Sequence, residues 1–176
     1  MTIRIIFETH STTTDNERGI ATGWLPGELS AAGNEQARAL GERRREGIDA
    51  VFVSDLARAV ETAEVAFADR AIPIYRDRRL RECNYGDRNG QPVAQLHQER
   101  LQHITKPWPG GQSYLEVAEG MKSFLQDLSV AWDGRTVLLI GHSATRWALD
   151  YLLKGIPLED AIASPSWQPG WEYGLP

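Results

Sequence analysis

The chain has 176 residues, 41% of them hydrophobic, and a formal net charge of −5. This length and apolar content predict one domain over residues 1–176 with a sizeable core, and the charge excludes an overall field that attracts nucleic acid or an anionic membrane. Cys83 is the only cysteine, which excludes an intrachain disulfide and a cysteine-based metal cluster and favours the reducing cytoplasm. We also expect neither a signal peptide nor a membrane span, because no apolar run suits either.

Strand-like and helix-like segments alternate along the chain. In chain order the predicted elements are a strand at Ile3–Phe7, a helix from its N-cap Ser30 to Gly47, a strand at Ala50–Asp55, a helix over 56–67, a strand at Ile72–Tyr75, a helix over Ser113–Trp132, a strand at Thr136–His142, a helix over 145–153 and an edge strand over 171–175. The run Thr136–His142 is almost entirely apolar, as expected for a central parallel strand covered on both faces. Repeated strand-then-helix units predict an α/β fold, a three-layer α/β/α sandwich with a mainly parallel sheet.

The segment from about 84 to 111 contains many Gln, Pro and Gly residues, and we expect a lid-like insertion there. His97 and His103 lie in this segment without an acidic cluster beside them. Their spacing matches no recognised metal-ligand pattern, so we expect both to be surface or lid residues. In the final strand, Trp171 and Tyr173 are expected to share one face, because alternate residues of a strand point the same way.

Two histidines stand where apolar runs end. His10 follows the first strand in IRIIFETHSTTTDN, and His142 ends the run TVLLIGH. Because ligands of open α/β sheets bind beyond the carboxyl ends of the strands, both imidazoles are expected to face one crevice. The alternative is that one of them is a hydrogen-bonded histidine without a chemical role.

A cation and a carboxyl group follow two other predicted elements. Arg58 lies in the first turn of the helix over 56–67, where the helix dipole favours an anion. It therefore indicates an anionic ligand, although a surface ion pair with Asp55 or Glu61 is the alternative. Glu82 lies in a loop that is also placed to reach the crevice, and its alternative is a solvated surface carboxylate.

Taken in this order and spacing, the motifs resemble the histidine phosphatase superfamily, the phosphoglycerate mutase-like group. The likeness runs from residue 2 to about residue 153. The segments that carry it are THSTTTDN, GWLPGELSAAG, SDLARAVETA, LRECNYGDRNG, PGGQS and IGHSATRWAL. The resemblance implies a phosphoglycerate mutase-like fold and a metal-independent phosphomonoesterase that acts through a phosphohistidine intermediate.

The resemblance also implies roles for particular residues. His10 is the expected nucleophile, Arg58 and His142 are expected to hold the phosphoryl oxygens, and Glu82 is the expected proton donor. Further candidate substrate-binding residues are Thr9, Ser11, Asn16, Trp24 and Ser143, and Tyr85 and Trp108 are candidates for contacting an organic group. We expect no metal and no cofactor. The expected partner is a small phosphorylated molecule, with no nucleic acid or membrane, and the protein is expected to be a monomer or a homodimer.

The chain departs from the family pattern beside the first histidine. Thr9 stands where the family has an arginine, and Ser11 and Ser143 stand where it has glycines. Losing one charge-assisted donor to phosphate costs roughly 1.5–3 kcal/mol. Two alternatives to a phosphatase therefore stay open: a fold that binds a small ligand with weak or no turnover, and an acid–base enzyme that uses the same pocket for another substrate.

Overall fold

The structure is a computed structural model that describes residues 1–164 and 167–176. Its strands are Ile3–Thr9 (β1), Ile20–Ala21 (β2), Ala50–Val53 (β3), Ile74–Arg76 (β4), Gln91–Pro92 (β5), Thr136–Gly141 (β6) and Trp171–Leu175 (β7). Its α-helices are Thr14–Glu17 (α1), Ala31–Arg43 (α2), Ala57–Ala66 (α3), Val93–Glu99 (α4), Tyr114–Ala131 (α5), Ser143–Lys154 (α6) and Leu158–Ala163 (α7). Short 3₁₀ turns span Arg78–Leu80, Gly86–Arg88 and Arg100–His103.

The main sheet has five strands in the order β4-β3-β6-β1-β7. Four of them are parallel, and only β7 runs antiparallel to its neighbour β1. Helices α2 and α3 contribute to the core on one face of this sheet, and α5 and α6 contribute to the core on the other. The predicted three-layer sandwich with a mainly parallel sheet is confirmed.

The two core layers follow from strand geometry. Because successive side chains of a strand point to opposite faces, Ile6 packs with Leu40 of α2 on one side of the sheet. Its neighbour Phe7 packs with Met121 of α5 on the other side. The central strands β1 and β6 are therefore apolar at almost every position, as the sequence pattern indicates.

Most element boundaries differ slightly from the predicted ones. Strand β1 continues to Thr9 because this residue pairs with Gly141 of β6. Helix α2 begins after the predicted N-cap Ser30, whose side chain accepts a hydrogen bond from Gly33 N, but it ends at Arg43 rather than Gly47. Larger shifts are in β3, which ends at Val53, in β4, which starts at Ile74, and in α6, which starts at Ser143, and the other predicted elements differ from the predicted bounds by at most about one residue.

The segment from 84 to 111 contains β5, α4 and two of the 3₁₀ turns. Strand β5 pairs with β2, and Leu96 of α4 is fully buried. The prediction that His103 is a surface or lid residue is wrong in one respect, because its side chain is buried and stacks on the Trp108 ring at a centroid distance of 3.9 Å. His97 is exposed.

Strand β7 is an edge strand, as predicted, and its buried residues alternate. Trp171 and Tyr173 are both buried on the same face. The Tyr173 hydroxyl donates a hydrogen bond of 2.8 Å to Asp150 Oδ1, and the Trp171 ring lies 6.0 Å from the Phe7 ring. In the part of the chain that the structure describes, no helix combines the length and hydropathy needed to cross a membrane.

Glu8 ties β1 to the end of α2. Its carboxylate is 2% exposed and accepts two hydrogen bonds from Arg43, at 3.0 and 2.8 Å, and one from Arg44 Nε at 2.8 Å. A buried carboxylate is stable only when such partners compensate its lost hydration. This cluster therefore fixes the strand that leads to His10.

We expect Glu8→Ala to lower the free energy of unfolding by about 3 kcal/mol, because two partly buried guanidinium groups lose their shared partner. The control is Glu172→Gln, which breaks the exposed Arg4–Glu172 pair and is expected to cost less than about 1 kcal/mol. Urea unfolding of both variants measures the difference. Equal losses would contradict a structural role for the Glu8 cluster.

Candidate active site

The two histidines of the sequence motifs meet at the carboxyl edge of the sheet. Strands β1 and β6 are adjacent, and His10 N donates a hydrogen bond of 2.9 Å to Gly141 O. The His10 and His142 rings lie 5.0 Å apart, centroid to centroid, at an interplanar angle of 50°. The structure thus places both imidazoles in one crevice.

The hydrogen bond of His10 defines its tautomer. Nδ1 lies 2.7 Å from the Ser11 carbonyl oxygen, and a carbonyl can only accept, so Nδ1 carries the proton. Burial, together with the charge of Arg58, lowers the pKa of His10 to about 3. The ring is therefore neutral at pH 7, and Nε2 holds a free electron pair.

His142 is fully buried and is held from the next strand of the sheet. Its Nε2 lies 2.8 Å from Ser54 Oγ, and burial followed by the charge of Arg58 lowers its pKa well below the ordinary value. Its Nδ1 has no hydrogen-bond partner among the described residues. Because buried polar atoms are nearly always paired, this nitrogen is available to a ligand atom.

Arg58 brings a buried positive charge to the same crevice. Its side chain is buried, Nη2 donates to Gly23 O at 2.8 Å, and Nη1 finds no partner in residues 1–164 or 167–176. Burial lowers the pKa of this guanidinium. A buried cation with an unused donor indicates an anionic ligand.

The surface ion pair considered as the alternative for Arg58 does not form. Asp55 accepts two hydrogen bonds from Arg81, at 2.6 and 2.7 Å. Glu61 instead accepts a hydrogen bond from the backbone of Leu29. Arg58 is thus left facing the crevice.

Glu82 is anchored by backbone donors. Its Oε1 accepts hydrogen bonds from Cys83 N at 2.8 Å and from Ala144 N, in the first turn of α6, at 3.2 Å. Burial raises the pKa of the carboxyl, and these hydrogen bonds and the Arg58 charge oppose that rise. The net direction is upward, which favours the protonated form that a proton donor needs.

The cleft lined by His10, Arg58 and Glu82 is small and polar, and the fully buried His142 lies beside His10 without lining it. A volume of about 130 Å³ is lined by His10, Arg58, Glu82, Asn16, Ser143 and Tyr85, among others. An adjoining volume of about 370 Å³ adds Thr9 and Ser11. Asn16 also holds the loop after His10, because its Oδ1 accepts from Thr13 N at 3.0 Å.

Two of the aromatic residues that are predicted to contact the substrate do not line this cleft. Trp24 lines a separate cavity of about 140 Å³, and its Nε1 donates to the Glu82 carbonyl at 2.7 Å, so it supports the Glu82 backbone. The prediction that Trp108 contacts an organic group is wrong, because this side chain is 1% exposed and packs inside the 84–111 segment.

Sequence reasoning missed Ser54 and Gly23, the residues that hold His142 and Arg58. Ser54 follows β3 directly, and its backbone N donates to Ile140 O, which brings its side chain to the end of β6. Gly23 has a φ of +56°, and a Cβ there would lie 1.8 Å from Asn89 Oδ1. Two sequence signals could have indicated them: a serine directly after a predicted strand, and a glycine, a residue that favours turns, in the loop that follows His10.

Over the two described ranges, no three His, Cys, Asp or Glu side chains are grouped closely enough to hold a metal ion. Cys83 is buried, and burial raises the pKa of its thiol. The polar groups that converge in the cleft are instead two neutral imidazoles, one guanidinium and one carboxyl group.

The fold and this cleft define a class of α/β proteins that present paired histidines at the carboxyl edge of a parallel sheet. The model of the histidine phosphatase superfamily, branch 1, matches residues 5–166. The chain therefore belongs to the histidine phosphatase superfamily.

Similar proteins include both mutases and phosphatases. The 2,3-bisphosphoglycerate-dependent phosphoglycerate mutase of Methylobacterium radiotolerans is 30% identical over 169 residues, which cover 86% of this chain and 79% of the relative. A mycobacterial glucosyl-3-phosphoglycerate phosphatase in complex with VO3 is 29% identical, with a TM-score of 0.78 and coverage of 91% and 86%. The Shigella flexneri alpha-ribazole phosphatase is 25% identical, with a TM-score of 0.80 and coverage of 94% and 87%. These neighbours point to phosphatase or mutase activity.

We expect Ser54→Ala to weaken binding of vanadate by about tenfold, because His142 Nε2 loses the partner that fixes its tautomer and ring orientation. Ser54→Thr keeps the hydroxyl group and is expected to retain most of the affinity. Titration calorimetry measures both, and urea unfolding confirms that each variant is folded. Unchanged affinity in folded Ser54→Ala would mean that Ser54 does not position His142 for an anion.

Proposed function

We propose that the protein is a metal-independent phosphomonoesterase that acts on a small phosphorylated metabolite through a phosphohistidine intermediate. The observation that carries the proposal is the free Nε2 of His10 beside two buried nitrogen atoms without partners among the described residues, Arg58 Nη1 and His142 Nδ1. A phosphoryl group in the cleft supplies oxygen atoms for both of them and an electrophilic phosphorus for His10 Nε2.

The first chemical step transfers the phosphoryl group to the protein. The electron pair of His10 Nε2 forms a bond to phosphorus while the bond from phosphorus to the alcohol oxygen breaks. Arg58 and His142 stabilise the charge on the equatorial oxygens. Glu82 gives its proton to the departing oxygen, so the alcohol leaves in neutral form and Glu82 becomes a carboxylate.

The second step returns the protein to its starting state. The Glu82 carboxylate takes a proton from a water molecule, whose oxygen attacks the phosphorus opposite His10 Nε2. The bond from nitrogen to phosphorus breaks, inorganic phosphate leaves, and Glu82 is again protonated. One carboxyl group thus serves as acid and then as base, which a raised pKa favours.

Hydrolysis is proposed rather than mutase activity because the solved structures similar to this chain include an alpha-ribazole phosphatase and a glucosyl-3-phosphoglycerate phosphatase. Thr9 supplies no charge to the cleft, and this supports a second possibility, a protein that binds an anion with little turnover. The experiments below separate the two.

The purified protein is expected to hydrolyse phenyl phosphate at a rate that chelators do not change. His10→Ala is expected to abolish turnover and to prevent formation of an acid-labile, base-stable phosphoprotein in rapid-quench experiments with labelled substrate. Vanadate binding without turnover would favour the binding protein, and complete dependence on a divalent metal would sink the phosphohistidine mechanism.

Glu82→Gln is expected to slow the hydrolysis of alkyl phosphates about 100-fold and that of 4-nitrophenyl phosphate less than about 10-fold, because only the alkoxide needs a proton to leave. With the alkyl substrate, the wild-type rate falls as the pH rises through the raised pKa of Glu82, since the acid is lost. The rate of Glu82→Gln is expected not to fall over this pH range. The exposed Glu119→Gln serves as the matched control, and equal losses for both substrates would argue against Glu82 as the acid.

A further inference from the structure

A cavity lined with tryptophans adjoins the candidate active site. Its volume is about 500 Å³, within the range of small-molecule sites. We call it the tryptophan cavity and define it by Trp147, Trp167, Trp171, Leu101, Ile162 and Arg100. None of these six residues belongs to the set proposed for catalysis.

The tryptophan cavity is continuous with the cleft of the two histidines. Ser143, Val93 and Arg100 line both the tryptophan cavity and the volume that contains His10 and Glu82. Thr9 lines both the cavity and the adjoining volume beside His10. A molecule whose phosphate lies at His10 can therefore reach this cavity with its remaining part.

Thr9 and Trp167 form the boundary between the two spaces. The Trp167 indole Nε1 donates a hydrogen bond of 3.2 Å to Thr9 Oγ1. The side chain that stands in place of the family's arginine thus holds one aromatic wall of the tryptophan cavity. Trp167 is 68% exposed, so this wall borders solvent.

The charged side chains that line the cavity differ in whether they already have a partner within the protein. Arg146 is paired with Asp150 at 3.0 Å, and its guanidinium lies 5.1 Å from the centre of the Trp171 ring. His97 is largely exposed, and its partial burial, followed by the charge of Arg100, lowers its pKa. Arg100 remains as the available cation.

Arg100 lies where the cavity and the cleft join. Its guanidinium lies 5.2 Å from the centre of the Trp147 ring, and its buried Nε has no hydrogen-bond partner in the described chain. An unused buried donor at this junction indicates an acceptor on a ligand.

We infer that the tryptophan cavity binds the alcohol part of the substrate, and that this part is a flat aromatic or heteroaromatic ring. A hydrogen-bond acceptor between the ring and the phosphate is bound by Arg100. The inference rests on the proposed function for the position of the phosphate. The three tryptophans that line the cavity suit a ring, and the donor at the junction suits an acceptor close to the phosphate.

The ring is tested with 2-naphthyl phosphate and phenyl phosphate, whose leaving phenols have similar acidity. The wild-type kcat/KM is expected to be at least about 10-fold higher for the naphthyl ester, because its second ring buries further apolar area. Trp167→Ala removes a wall, and Ala163→Phe places a ring inside the cavity. Both are expected to reduce this advantage, measured as the ratio of the two esters within each variant, to less than about threefold.

The matched control for the exposed sites is Val130→Ala, on α5 and 87% exposed, which is expected to keep the full advantage. An advantage that is absent in the wild type, or that all three variants retain, would overturn the inference. Loss of the advantage in Val130→Ala would overturn it as well, since that residue does not line the cavity.

Arg100 is tested with 2-hydroxy-3-phenylpropyl phosphate and 3-phenylpropyl phosphate, which differ only in a hydroxyl group beside the phosphate. The wild type is expected to prefer the hydroxylated ester by about 10-fold, the usual scale for a hydrogen bond to a charged group. Arg100→Met is expected to remove this preference without changing the preference for a naphthyl ring. Equal preference in the wild type and Arg100→Met would show that Arg100 does not bind the acceptor.

Failure of the proposed function is a separate outcome. If the wild type hydrolyses none of these esters, calorimetry with His10→Ala compares the dissociation constants of naphthyl and phenyl phosphate without any need for turnover. If naphthyl phosphate binds more tightly than phenyl phosphate and Ala163→Phe removes this difference, the inference is supported even though the proposed function has failed. Equal binding of the two esters overturns it.

Discussion

The arrangement of the site depends on the parallel pairing of β1 with β6. The hydrogen bond from His10 N to Gly141 O continues the ladder of these strands by one residue beyond β1, so two loops leave the sheet at the same level. Because both strands are buried in the centre of the sheet, a slip in their register would expose apolar side chains on both faces. The proximity of the two imidazoles is therefore enforced by the core of the whole domain.

The electrostatics of the cleft follow from this burial. Desolvation is the largest cause of the low pKa of both histidines and of the raised pKa of Glu82. The two imidazoles are neutral, and Arg58 is the strongly buried charge beside them. Protein carboxylates that might have neutralised Arg58 are used elsewhere, Asp55 by Arg81 and Glu61 by a backbone amide. Arg58 thus forms no ion pair with the described residues, and a phosphoryl group brings the negative charge that can pair with it.

The sequence predicts those features that local chemistry decides. Ser30, the predicted N-cap, caps its helix through a bond to a residue only three positions away, and the buried strands show in continuous apolar runs. Features that depend on distant partners could not be read in this way. Ser54 contacts His142 across 88 positions, and the burial of His103 follows from the packing of Trp108 onto it. The short strands β2 and β5 are each two residues long and exist because they pair with one another.

Thr9 connects the proposed phosphomonoesterase activity with the proposed binding of the alcohol in the tryptophan cavity. An arginine at this position would offer charged donors to phosphate, a group that every phosphomonoester shares, and each such contact is worth roughly 1.5–3 kcal/mol. Threonine instead accepts a hydrogen bond from Trp167 and leaves room for an aromatic wall beside the nucleophile. On the proposed function, this exchange weakens binding of all phosphate esters alike and restores it only for those whose alcohol fills the tryptophan cavity. Specificity is a difference between affinities, so the phosphate contacts, which all esters share, cancel, and discrimination between esters comes from the contacts of the alcohol with the tryptophan cavity.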